Sequence, residues 1–529
     1  MKVLFIAKGD RPDYQSDMIL HGGRSLYGND FVDCNKHWYM YKEDKDLYWN
    51  TRIPDNGKSY GWGYTLFGTF EQDTVDRAHI DQKIRDHYFD KIIYGSSTRC
   101  LDYIEIVTQH YDKQDILLID GEDDQMIRSE LQQLGTYFKR ELLPQDLTRA
   151  RPINFAIPEE LIIPDVPNKS REYANLIPGD MSTYIYNTED EYKNGYQEAW
   201  LGLTYKKGGW DCLRHYEIIA NACIPYFPDL QACPPTTMTT FPKRLVMECN
   251  NRLASGELTE DGCRQYTQLL LNYARHNLTT KQLAKMLLTE QKPAKSTYIF
   301  ICSYNRYQPL KALVESLNKR GYYNIVILDN GSTYEPLLEW YKSLDKTDVY
   351  FCAHNYGPEA LDCVRDFEPS FWEKYNHIVL NEYHVYTDSD VVPVDEVPDD
   401  FIDTMIGLCK KYNIPKLGLS LKIDDLPDHY ILKERVTNHE SSFFEREYIM
   451  DEACQLFKAP VDTTFAINSP GLACGYNDYA YRAAGNYFAR HTPWYYDSNN
   501  LPEEEVYYLN NITGPRPHWS NILKETIKL

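Results

Sequence analysis

No stretch of this 529-residue chain approaches the roughly 18 uninterrupted apolar residues that would announce a membrane-spanning helix. Positive charge is also scarce. Fifty-six Lys and Arg stand against 78 Asp and Glu, a formal charge of −22. That balance argues against a nucleic-acid or anionic-membrane surface, because either needs a basic footprint. The 13 cysteines contain no CxxC pair and no Cys/His ligand spacing. An odd, scattered set of this kind predicts reduced thiols rather than a disulfide framework or a zinc site. The opening run Val3-Leu4-Phe5-Ile6-Ala7 is too short for a signal-peptide core and meets Lys8 and Asp10 at once. The expectation is a soluble, cytoplasmic protein with no membrane span, in which local basic pockets for phosphate remain open.

What is abundant is aromatic: 14% of the residues, including 45 Tyr. Tyr can stack on a sugar or base while offering a hydroxyl. A chain this long exceeds one core and predicts about two to four domains.

The first half reads as α/β. Strands are expected at Met1–Ala7, at Lys91-Ile-Ile-Tyr and at Asp115–Asp120, with a helical stretch leading into Gly22-Gly23, a pair that reads more readily as a turn than as a ligand cradle. A second α/β region is expected from about Pro152. Within it, Gly202-Leu-Thr-Tyr-Lys-Lys207-Gly-Gly209-Trp-Asp-Cys-Leu-Arg214-His-Tyr-Glu217 precedes Ile224-Pro-Tyr. Glycines ahead of a helix leave backbone N–H groups pointing at its N-terminus, where phosphate is favoured. Arg214 and Glu217, at i and i+3, are otherwise a surface ion pair. The ensemble resembles the donor-binding half of exostosin-like GT-B glycosyltransferases. That resemblance implies that Lys207, Gly209, Arg214 and Glu217 meet a nucleotide-sugar donor, the basic residues on its diphosphate and the acidic one on ribose or sugar. From Leu253 to Glu290 the pattern is helical, and the Pro-containing Gln291–Ser296 marks a boundary.

Beyond it the pattern starts afresh. Ser296–Cys302 reads as a strand, Ser303-Tyr304-Asn305-Arg306 as a polar loop, and Leu310, Leu313, Val314 and Leu317 as one face of a helix. Asn324–Asp329 and Asp348–Ala353 are further strands. A strand through Val385 and Tyr386 runs out at Asp388-Ser389-Asp390. Two carboxylates at i and i+2 on one short segment suit a hard cation, Mg²⁺ or Mn²⁺, which leaves positions open for water and phosphate. By itself the segment reads more readily as an ordinary turn. In order, however, Cys-Ser-Tyr-Asn-Arg, Asp329-Asn-Gly-Ser and Asp388-Ser-Asp390 resemble a GT-A glycosyltransferase of the family-two type. The resemblance implies that Ser303, Tyr304, Arg306, Asp329 and Asp388 bind the donor and that Asp388 and Asp390 hold the divalent metal. His518, similar in position to a C-terminal His in some such enzymes, would complete the metal's sphere.

Transfer from a sugar nucleotide passes through an oxocarbenium-like transition state as a diphosphate departs, so charge must be neutralised on the leaving group. If the reaction inverts, a carboxylate must take the acceptor's proton. Asp462, in the apolar strand-like run Val461–Ile467, reads equally as the base, its pKa raised by burial, or as a structural carboxylate hydrogen-bonded to the neighbouring Thr. Glu504 stands with it as a second candidate, within a Glu503-Glu504-Glu505 run that otherwise reads as a solvated face; Asp425 and Glu440 are further reserves. The overall expectation is an α/β chain. Residues 1–150 and 151–292 form a GT-B-like pair of Rossmann-type halves, and residues 296–529 a GT-A doubly wound domain. The chain would act on nucleotide sugars and a glycan acceptor, through two activities, or through one with residues 1–292 as a non-catalytic binding module. A sugar-1-phosphate nucleotidyltransferase ranks below both, because the loop after the strand is Ser-Tyr-Asn-Arg instead of a Gly-rich one.

Overall fold

The computed structural model describes residues 1–44, 66–288, 295–344, 346–462, 464–472, 479–512 and 519–528. The chain divides into two compact units. One is Met1–Thr289 together with Trp372–Asn381, and the other is Glu290–Phe371 with Glu382–Leu529.

The first unit contains two all-parallel sheets. The larger runs, in spatial order, Phe31–Asp33, Val3–Ile6, Lys91–Tyr94, Ile116–Asp120, Thr136–Lys139 and Arg151–Pro152. Its central strands are buried on both faces, which is why they read as unbroken apolar runs. The smaller sheet joins Arg171–Tyr173, Ala199–Leu203 and Ile224–Tyr226. Gly22 and Gly23 do not form a turn: they lie inside the helix Tyr14–Tyr27. A Cβ at Gly22 would fall 1.9 Å from the carbonyl oxygen of Thr280, and one at Gly23 would meet the Phe31 ring at 2.2 Å. The pair is there because helix Thr280–Leu288 and strand Phe31–Asp33 leave room for nothing larger. The helical region expected from Leu253 onward is three helices, Lys243–Ala254, Glu260–Asn277 and Thr280–Leu288. The segment Trp372–Asn381 joins this unit through the Tyr273 and Trp372 rings, 5.3 Å apart edge to face, and a 2.8 Å hydrogen bond from Asn376 to Asn277.

Among its described residues the second unit is built on one mixed sheet of ten strands. Thr347–Phe351, Ile325–Asp329, Ile299–Ser303 and His384–Asp388 are mutually parallel. Ala466–Asn468 then pairs antiparallel with His384–Asp388, and Lys416–Leu421, Ala480–His491, Gln455–Lys458 and Tyr448–Met450 follow. Helix Gln308–Lys319 turns Leu310, Leu313, Val314 and Leu317 into the core, the face its apolar periodicity announces. The strand Ala480–His491 jumps register between its pairings with Leu419 and Ser420, at a bulge containing Gly485 with φ +81°. Its far end pairs with Val391–Pro393, opposing Val391 to His491.

Candidate active site

Three parallel strands of the second unit end side by side. Register places Ser303 opposite Asp329 and Cys302 opposite Asp388. In open α/β sheets the ligand crevice lies at these carboxyl ends. The two loops leaving them are laced together. Asn305, buried and left-handed at φ +53°, accepts from the amides of Thr333 and Tyr334 at 2.7 and 3.0 Å. Its own amide donates to Ser332 Oγ. Asn tolerates that conformation better than most residues. Asp329 accepts from the amides of Gly331 and Ser332 and from the Tyr341 hydroxyl at 2.8 Å. Asp329 is thus fully buried, and its carboxylate shapes the turn.

Asp388 ends its strand half-buried, and Asp390 follows across a two-residue turn, buried. Asp390 forms an ion pair with Arg306 at 3.0 Å, and its Oδ2 lies 3.6 Å from Nε2 of His491. Arg306 also donates to Glu505 at 3.1 Å and lies 3.9 Å from the centre of the Tyr508 ring. Burial pulls the Arg306 pKa down, but Glu505 and Asp390 more than offset it and hold the guanidinium charged. Burial raises the Glu505 carboxyl above its ordinary range, with Arg306 pulling the other way.

The glutamate run is therefore no solvated face. Glu504 and Glu505 are buried at the start of helix Glu503–Asn511. Glu504 accepts from the amides of Tyr307 and Gln308, at 3.3 and 2.9 Å, and so caps helix Gln308–Lys319, which has no capping side chain of its own. Helix Glu503–Asn511 reaches the two loops elsewhere: Tyr304 donates to the carbonyl of Asn511, and Tyr507 bonds Thr333 and packs its ring tilted against Tyr334. Asp462 departs from expectation in another way. The strand comprises only Ala466–Asn468, and Asp462 is exposed in the segment before it, so the expected burial is missing. His518 lies outside the described residues.

Among the described residues no group of three or more His, Cys, Asp or Glu gathers as a metal cage. Mg²⁺ or Mn²⁺ needs no such cage when one or two carboxylates are joined by substrate phosphates and water. Asp388 and Asp390, flanking one turn at the strand ends, fit that requirement. The Arg306 guanidinium and the His491 ring both lie at Asp390 and compete with a cation there.

In the first unit the glycine loop has an anion of its own. Glu141 accepts from the amides of Trp210 and Asp211, both at 2.9 Å, directly ahead of helix Leu213–Ala220. A Cβ at Gly209 would lie 2.5 Å from the Glu141 carboxylate and one at Gly208 as close to that of Asp123. Two of the loop's N–H groups expected to meet phosphate, those of Trp210 and Asp211, are therefore held by the protein. Arg214 and Glu217 are buried, not at the surface: Arg214 donates to Tyr184 and Glu217 accepts from Tyr192 at 2.6 Å. Lys207 is exposed. Asp211 is wholly buried, which pushes its pKa up to about 6 against the pull of Arg140. Glu141 and His491 carry no local sequence signal, since each reaches its site from a distant strand or strand end.

Residues 298–360 match the model for glycosyl transferase family 2. That span begins with strand Ile299–Ser303 and contains the loops after it and after Ile325–Asp329, so the second unit holds a family-two-like glycosyltransferase segment and the match supports glycosyltransferase activity in general terms. No curated protein matches the chain.

Proposed function

We propose that the protein is a metal-dependent glycosyltransferase with a single active centre, in the second unit, that transfers a sugar from a nucleotide-sugar donor to a glycan acceptor. What carries this reading is the convergence of Ser303, Asp329 and Asp388 on adjacent parallel strand ends. Asp388 and Asp390, with His518 as a further candidate, would hold a divalent Mg²⁺ or Mn²⁺. When bound, that ion supplies charge stabilisation to the departing diphosphate. The chain's own residues do the positioning. Ser303 and Tyr304 border the nucleoside side of the crevice, Asp329 fixes the turn beneath it, and Arg306 brings positive charge towards the diphosphate. Glu504 acts by capping the helix behind the loop, and Asp462 serves as a base only where the acceptor itself supplies the burial.

The first unit is read as a GT-B-like pair of Rossmann-type halves, residues 1–150 and 151–292, acting as a binding module. The Glu141 carboxylate on the Trp210 and Asp211 amides favours this over a second donor site at Lys207, Gly209, Arg214 and Glu217. The test is nucleoside diphosphate release by the whole chain over a panel of nucleotide sugars with Mn²⁺. Asp388→Ala with Asp390→Ala should remove all of it; release that persists with a different donor would restore the two-activity reading.

A further inference from the structure

The Asp390 carboxylate that this reading assigns to a cation already faces a cation. Arg306 Nη1 is 3.0 Å from Asp390 Oδ2 and Nη2 is 3.1 Å from Glu505 Oε1. Only the Glu505 contact has hydrogen-bond alignment; the contact with Asp390 is a bare ion pair. Arg306 is thus anchored on Glu505 and the Tyr508 face, and leans on Asp390. A buried carboxylate is costly without an opposite charge nearby, and Asp390 is buried. A divalent ion on this carboxylate repels a guanidinium on it, whichever oxygen each takes, and so weakens the hold of Arg306.

We propose that Arg306 is a stand-in counter-ion, neutralising Asp390 while no metal is bound and yielding it to the metal, with Glu505 as the positioning residue that receives the displaced guanidinium. Tyr508 lets it swing without losing its stacking partner. Helix Glu503–Asn511 presents Glu505 and Tyr508 from one face and, through Glu504, pins the first turn after Arg306, so the pivot is fixed while the side chain moves. Displacement would leave the guanidinium beside the arriving diphosphate, so metal and donor load together rather than separately.

The inference rests on the metal reading above, and one experiment separates the two. Mn²⁺ binding to the full chain is measured by electron paramagnetic resonance, alone and with UDP or GDP. The double variant Arg306→Gln/Glu505→Gln, which keeps charge balance, should bind Mn²⁺ alone about tenfold more tightly than wild type. Added nucleoside diphosphate should tighten wild type more than the double variant. Glu505→Gln alone, nearly isosteric, should weaken Mn²⁺ binding several-fold, since Arg306 then has Asp390 as its remaining carboxylate; this variant carries the test if the double variant does not fold. Equal affinity in wild type and either variant overturns the counter-ion role while leaving the metal site standing. No Mn²⁺ binding by any form, with or without nucleotide, overturns both.

Discussion

Asp388 is the residue on which transfer is expected to turn. Asp388→Asn keeps the shape and removes the charge, and should lower metal-dependent nucleoside diphosphate release by about two orders of magnitude or more, with the circular dichroism spectrum unchanged. A drop of less than threefold would reject the assignment. Asp17 offers a test of a different kind. It is wholly buried, accepts from the Tyr39 hydroxyl at 2.6 Å, and burial pushes its pKa up to about 7 from an ordinary 3.8, with His37 and Tyr39 opposing. The folded state holds this proton more tightly than the unfolded chain does. Its contribution to stability is therefore complete below about pH 4 and is lost as pH rises to about 7. The difference in unfolding free energy between wild type and Asp17→Asn should fall across that window and flatten above it. At this scale the sequence spoke clearly where chemistry is local: Asp388-Ser-Asp390 is visible because its two carboxylates share one turn. It was silent on Glu141, about seventy positions before the amides it caps, and on Arg306 facing Asp390, because those partners meet only through sheet register. Asp462 misled for a related reason: an apolar neighbourhood in sequence is not burial.

Elements were legible in proportion to their periodicity. Helix Gln308–Lys319 and the strands Ile299–Ser303 and Ile325–Asp329 stand where their apolar spacing put them. Gly22-Gly23 was misread because glycine signals a turn locally, whereas here the reason is a neighbour about 260 positions away in sequence. Gly23→Ala should cost about 1–3 kcal/mol through overlap with the Phe31 ring, read by denaturant unfolding. The glutamate run was misread because composition alone cannot tell a solvated face from a cap. Glu504→Ala removes the acceptor from two amides of helix Gln308–Lys319 and should cost about 1 kcal/mol. For a unit of this size that is a Tm shift of about 2–4 °C. If the residue were only a base, activity would fall with Tm unchanged.

For the whole molecule, the proposal of one active centre predicts that damage to the first unit registers as lost stability, not lost chemistry. Arg214→Met leaves Glu217 buried without the nearby guanidinium and should lower Tm, while KM for the nucleotide sugar in the transfer assay stays within twofold of wild type. A selective rise in KM for one donor would mark the glycine loop as a working site after all. The parallel sheets of both units could be anticipated from continuous apolar runs, but not the way the second sheet turns antiparallel beyond His384–Asp388, since short strands such as Ala466–Asn468 carry little pattern.

The return of Trp372–Asn381 to the first unit has a consequence for biosynthesis. As the polypeptide leaves the ribosome, Tyr273 emerges about a hundred residues before the indole it packs against, so this part of the core stays open through about the first third of the second unit's translation. A gene cut at the obvious linker would express a protein permanently in that unfinished condition.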